Sequence, residues 1–438
     1  METSEKGDTK VEAADGTVRF FLPDWEDRIY PDFDYTSDFQ RFSSDNPYEE
    51  SVYAHEVFSE RPYDGVLFSL AVFREKIQLQ QNGTGPAVRG YTDIKKYLRV
   101  DEAPYELAVF GDCGAYSYVN KDSPPSYAAP ERVARLYDWF NFDYGVSPDH
   151  VIVDTVKQQD GKGEKKRRLS KEEKENRRQI TLQNAEEFLR IVSDGGLNFT
   201  PVAAAQGWNP PTYAKSVRYL NELGYDWVAV GGLARRNTTF VRKVLEAIRD
   251  EVRPKEAGLK LHLLGVVRDG LVGELENYGV VSVDSASYLR KAWLRSGTNY
   301  LTEDGDWYAA IRVPYSFSSG IRSTADELNM TVEEVEELER KALSSLIEYD
   351  AGERNLESTL NAVLDYDCLL SRISKRESKY RARYRRTLES RPWEECNCPI
   401  CEEIGIHTLI FRGLNRNKRR GFHNVKVLHQ NLREGSCL

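Results

Sequence analysis

The chain has 438 residues, 40% hydrophobic and 11% aromatic, with a formal net charge of −9. That is enough apolar material for one barrel-sized core and an appendage. The acidic balance argues mildly against nucleic acid as a partner, although the basic charge is locally concentrated. No apolar run reaches the ~18 residues a membrane span needs, so no membrane association is expected.

Residues 1–16 are polar and acidic, with no apolar stretch after a basic start, and are expected to form a disordered tail, not a secretory signal. Residues 17–63, which include FFLPDWEDRIYPDFDY, mix aromatics, Asp and Pro without clean periodicity and are set apart as an N-terminal extension. From residue 64 one pattern repeats: a short apolar run, a loop, an amphipathic helix. The runs are 65–73, 107–112, 150–155, 199–207, 227–232, 261–266 and 280–285, with helices expected at 130–140, 184–192, 212–223, 238–252 and 287–297. Pro210-Pro211 suits a helix start and Gly224 a helix end. Near-continuous apolar strands alternating with helices imply a parallel sheet covered on both faces. Seven such units plus a weaker eighth at 304–316 point to a (β/α)8 TIM barrel over 64–320, with a doubly wound sheet as the alternative. Residues 321–438 are expected to form a helical and zinc-binding subdomain, with Ser323 or Thr331 as a helix cap.

Half of the six cysteines sit together, in Cys396-Asn397-Cys398-Pro399-Ile400-Cys401. Grouped thiols of this kind bind metal in a reducing cytoplasm, where the protein is expected to reside. With His423 they can close a tetrahedral shell for one structural Zn2+ per chain; His407 and His429 are rivals for the fourth place. Two basic stretches flank this motif. Residues 372–386 carry eight Lys or Arg against one Glu, and 412–420 read RGLNRNKRR. Local charge, not the total, sets phosphate affinity. Arg376, Lys379, Arg381, Arg383, Arg385, Arg386, Arg416, Lys418, Arg419 and Arg420 are therefore candidates for holding a nucleic-acid backbone. Residues 162–178 are also basic and read as a solvated helix face.

In a parallel barrel the active site lies at the C-terminal ends of the strands. The polar residues expected there are Asp112, Asp154, Gln206, Gly231 with Gly232, and Asp284. The segments that carry them resemble the tRNA-guanine transglycosylase superfamily. FGDCGAYSYV (110–119) is similar to its DSGGFQ segment, VAAAQGW (202–208) to VQGG, VAVGGLA (228–234) to IGGLA, LHLLGV (261–266) to LMGVG, and VSVDSASY (281–288) to FDSAAY. The CxCxxC motif followed by His423-Asn424 resembles the family's zinc motif. These segments occur in the family's order over roughly three quarters of the chain. Several features depart from the tRNA enzymes: Cys113 and Tyr116, Trp208 in place of a glycine, Arg235 and Arg236, and the basic 372–386 segment. They resemble the DNA-modifying, DpdA-type branch.

The resemblance implies exchange of guanine in DNA for a free 7-deazaguanine base (preQ0). Asp284 would be the nucleophile and Asp112 the acid and base; Asp154, Gln206, Gly231 and Gly232 would read the base, and Tyr116 would stack on it. The substrate would be duplex DNA with a flipped base, or single-stranded DNA. No Walker-type phosphate loop is present, so intrinsic flipping or a DNA-opening ATPase or helicase partner is expected. The same chemistry on tRNA, and a nucleic-acid-binding subunit without activity, are the alternatives.

Overall fold

A computed structural model describes residues 17–43, 46–79, 85–160, 163–294, 296–371 and 374–435. The expected tail, 1–16, lies outside them. Eight parallel strands close a barrel in strict chain order: β1 (Arg19–Pro23), β2 (Gly65–Ser69), β3 (Ala108–Asp112), β4 (Tyr144–Val146), β5 (Thr200–Ala205), β6 (Trp227–Val230), β7 (Lys260–Leu263) and β8 (Val280–Asp284). The barrel is the one the apolar periodicity predicts, but two of its strands come from elsewhere.

First, RFFLP from the expected extension is a barrel strand. Phe21 lies opposite both Asp284 of β8 and Gly65 of β2, which closes the cylinder. Phe21 is fully buried and packs edge-on to Phe110 with ring centroids 5.1 Å apart. The expected eighth unit, 304–316, is not in the barrel. Trp307–Tyr308 pairs with Tyr300–Leu301 in a hairpin, and Ile311–Arg312 pairs with Ile410–Phe411.

Second, β4 is the short run YGV, not HVIVDT. Val151 and Ile152 are buried, which explains their apolar character, yet side chains satisfy the backbone there. The His150 amide donates to Thr181 Oγ1 (3.0 Å) and the Ile152 amide to Gln206 Oε1 (3.3 Å). Residues 150–154 are therefore loop.

The barrel interior is filled by Phe21, Leu67, Phe110, Val146, Val202 and Trp227 among others. Around it run α1 (Pro130–Trp139), α2 (Lys171–Gly195), α3 (Pro210–Glu222) and α4 (Thr238–Val252). Their ends obey local chemistry. Ser170 and Glu173 form a capping box, and the Asn209 side chain caps α3 ahead of Pro210-Pro211. Gly111 and Gly145 make room for Tyr137 of α1: a Cβ at either would stand 2.4 Å from its ring.

The described residues divide into two compact units, the first comprising those of 17–25, 63–285 and 432–435, the second those of 26–62 and 286–431. The second has its own core, including Tyr300, Ile311, Leu346, Leu364, Leu388 and Trp393, under helices Val332–Asp350, Leu356–Ser371 and Ser374–Ser390. Thr331, not Ser323, supplies a capping box, to the helix beginning at Val332. Among the described residues no helix is long and apolar enough to cross a membrane.

Candidate active site

The C-terminal strand ends of the first unit carry three buried or half-buried carboxyl groups. Asp112 ends β3, Asp284 ends β8, and the third is Asp149, in the loop after β4.

Asp284 is 5% exposed. Its Oδ1 accepts from the Gly265 amide (2.8 Å) and lies 3.1 Å from His262 Nε2; neither contact falls on Oδ2. His262 is fully buried, stacks on Phe110 at 4.7 Å, and has Nδ1 2.8 Å from Ser282 Oγ. The ring is thus locked from three sides, and it and the Gly265 amide fix Oδ1 of the Asp284 carboxyl.

Burial is the main cause that lifts the Asp112 carboxyl to about 6; the negative charge of Asp284 adds to it, against hydrogen bonds from the Gly114 amide and Ser69 that favour the anion. Burial likewise lifts Asp149 to about 7, with the charge of Asp112 second. Asp149 Oδ2 accepts from Gln206 Nε2 at 2.6 Å, and its backbone carbonyl accepts from Tyr118 Oη at 2.8 Å. Cys113 packs between, its Sγ 3.7 Å from Asp149 Oδ1 and 3.3 Å from Tyr118 Oη. Carboxyls set near neutrality in one pocket can take and give protons at working pH, which free aspartates cannot.

Gln206 is 1% exposed and is held by Asp149 on one side and the Ile152 amide on the other. Gly231 and Gly232 lie against its amide. An added Cβ would come within 2.4 Å of Nε2 and 2.7 Å of Oε1 respectively, and Gly232 has φ +72°. Both glycines are explained by this contact. Tyr116 stands 44% exposed on the short helix after β3, with the Arg235 guanidinium 5.9 Å from its ring centroid.

Asp154 is corrected by the structure. Its side chain is 54% exposed and accepts from Arg236 Nη2 (3.1 Å) and Lys174 (3.0 Å), and the Arg236 hydrogen bond holds it down at about 2. It is an anchor on the surface. Asp149 occupies the place expected for it beside Gln206, and sequence reasoning missed it because HVIVDT looked like the strand whose last acid would face the mouth.

The basic candidates of the second unit also change. Arg416, Arg419 and Arg420 are at most 1% exposed. Arg416 binds Asp38, the Tyr35 carbonyl and His407; Arg419 binds Glu403 and the Pro31 carbonyl; Arg420 donates to the carbonyls of Ala292, Thr408 and Ile410. They are internal braces and cannot hold a phosphate backbone. Lys418 pairs with Asp27. On the helix Ser374–Ser390, Arg381 and Arg385 pair with Glu357, Arg386 pairs with Asp306, and Arg383 packs against Gly297. The side chains of Arg376 and Lys379 lie outside the described residues.

Within the second unit Cys396, Cys398, Cys401 and His423 bring their ligand atoms within 4.8 Å of one another. The three sulfurs are 3.6, 3.4 and 3.6 Å from His423 Nδ1. Zinc bonds of about 2.3 Å to sulfur and 2.0 Å to nitrogen, at a tetrahedral angle, put the two atoms about 3.5 Å apart. The residues therefore fit zinc, with no open position. His423 Nε2 lies 2.7 Å from the Leu301 carbonyl, which fixes the tautomer that leaves Nδ1 for metal. His407 is engaged by Arg416 instead, and the Asn424 carboxamide bridges Leu301, Tyr288 and Asn299 of the backbone.

Paired carboxyls at the mouth of a barrel, with burial raising Asp112 and Asp149 so that they can hold a proton, are the layout of enzymes that work on a glycosidic bond. No family model matches the chain. Over 430 residues, 95% of this chain and 96% of the other, it is 36% identical to a protein of Salmonella montevideo named DNA-guanine transglycosylase. The chain belongs to the guanine transglycosylase family and is an enzyme of that class.

Proposed function

We propose that the protein exchanges guanine in DNA for a 7-deazaguanine base, preQ0, as the DNA-modifying branch of its family is expected to do. DNA is the nucleic acid in the name of its Salmonella relative. The observation that carries the chemistry is the convergence of Asp284, Asp112 and Asp149 at one set of strand ends, with Asp112 and Asp149 held near 6 and 7.

In this reading Asp284 Oδ2 attacks C1′ of the target deoxyguanosine. The C1′–N9 bond breaks, and the departing guanine takes a proton from Asp112. The incoming base gives its N9 proton to the Asp112 carboxylate, its N9 attacks C1′, and the ester bond to Asp284 breaks to restore the carboxylate. The atoms balance with no other reactant. Asp149 accepts from the N1–H and amino edge of the base, Gln206 meets its carbonyl, and Tyr116 stacks on the ring. A guanine inside a duplex has to be flipped out or presented unpaired, with or without a separate DNA-opening ATPase. The zinc site would be structural.

The test is incorporation of labelled preQ0 into duplex DNA, single-stranded DNA and bulk tRNA, read by mass spectrometry of the digested nucleosides, for the native chain and for Asp284→Asn. Label in DNA alone, lost in the variant, is expected. Label in tRNA alone would move the substrate to tRNA, and label retained by Asp284→Asn would remove the covalent role.

A further inference from the structure

The basic segment between β4 and α2 reads in the sequence as a solvated helix face. The structure makes it an antiparallel hairpin, Thr155–Asp160 with Gly163–Arg168, on a loop at the catalytic end of the barrel. It begins six residues after Asp149. Its root is tied to the rim at two points. The Lys157 amide donates to Asn120 Oδ1 (2.8 Å) in the loop after β3, and Asp154, whose carbonyl accepts from the Leu169 amide (3.1 Å), holds Arg236 of the loop after β6.

Register sets the charge. Lys157 lies directly opposite Lys166, and Thr155 opposite Arg168, so Lys157, Lys166 and Arg168 share one face. All three are exposed, whereas Val156 on the other face is buried. Lys157 has a partner in Glu164 at 2.8 Å; Lys166 and Arg168 have no carboxylate partner among the described residues. Like charges placed directly opposite destabilise a strand pair, and a two-stranded hairpin is marginal to begin with. A polyanion lying along that face removes the repulsion.

Building on the DNA reading above, we propose that this hairpin, not the C-terminal basic segments, grips the phosphodiester backbone next to the flipped or unpaired guanine, through Lys157, Lys166 and Arg168. Arg235, exposed beside Tyr116 on the same rim, continues the basic face toward the mouth.

The experiment is binding of labelled duplex and single-stranded DNA by the full chain between about 50 and 200 mM salt. It compares the native protein, the triple variant Lys157→Gln/Lys166→Gln/Arg168→Gln, and the control Arg253→Gln/Lys255→Gln at the far end of α4. Each lost phosphate contact should flatten the log–log salt slope by about 0.7–0.9, so the triple variant should lose about 2–3 in slope while the control keeps the native value. Because the substituted side chains are exposed, melting temperatures should agree and a folding defect is separable. Native binding to DNA with an unchanged slope in the triple variant would overturn the hairpin and leave the DNA reading standing. A native protein whose DNA binding shows no salt slope at all would overturn both.

Discussion

Asp149→Asn should make the protein more stable at high pH and useless as a catalyst, and the size of the gain can be worked out. The ordinary Asp value is 3.8, and in the folded chain this carboxyl is raised to about 7. Below 3.8 both states are protonated and nothing is lost. Between 3.8 and 7 the unfolded chain ionises while the native one keeps its proton, so stability falls as pH rises. Above 7 the full difference is present, about three pH units or about 4 kcal/mol at most. Asparagine does not titrate, and its carbonyl can still accept from Gln206. The charge of Asp112 is the second cause that raises Asp149, so its contribution is already within this figure. For a chain of this length about 1–2 °C of melting temperature corresponds to each kcal/mol, which predicts a gain of about 5 °C at pH 8.5 that disappears near pH 4. Thermal unfolding of both proteins at the two pH values is the assay. A melting difference that is the same at both would show that Asp149 is not buried as a strained carboxyl, and its raised value would lose its basis.

His262→Ala should lower kcat about 10- to 100-fold with little change in KM, because Asp284 loses the ring that fixes Oδ1 and would sample misaligned orientations; steady-state base exchange reads this, and an unchanged kcat would refute it. Arg420→Met should destabilise the protein by about 3 kcal/mol or more, since three carbonyls lose a buried donor, while the salt slope of DNA binding stays native; the opposite pattern would restore Arg420 as a backbone contact. Cys401→Ser should abolish bound zinc, measured per chain by mass spectrometry, and lower the melting temperature. Phe21→Ala should cost about 3–5 kcal/mol by opening a cavity where β1 closes the barrel, read by denaturant unfolding.

The fold and the site are legible in the sequence where chemistry and periodicity coincide. The strand-end residues Asp112, Gln206, Gly231-Gly232 and Asp284 sit at the ends of apolar runs that are also strands, so period and motif point to the same place. The Cys396–Cys401 cluster is legible because ligand spacing is local. The failures share a cause too. Val151 and Ile152 are as buried as any strand residue, but the side chains of Thr181 and Gln206 satisfy the backbone of this stretch, and a hydrophobic pattern cannot distinguish a strand from a buried loop held that way. That displaces the expected acid from Asp149 to Asp154. β1 is hidden because a strand of five residues needs partners far along the chain to declare it, and only the pairing of Phe21 with both Gly65 and Asp284 does so.

The basic residues teach the sharper lesson. RGLNRNKRR looks like a phosphate-binding stretch, yet Arg416, Arg419 and Arg420 are sunk among carbonyls and acids that are distant in sequence, such as Asp38 and Glu403. In the hairpin Lys157, Lys166 and Arg168 look ordinary and are exposed. A guanidinium has five donors on a long stem, so it serves equally to brace a helix from inside or to meet a polyanion outside. Composition counts both uses alike; only burial separates them. The basic surface that could serve this enzyme is therefore to be sought where exposed cations stand on the same rim as its carboxyl groups, at the Lys157–Arg168 face and Arg235.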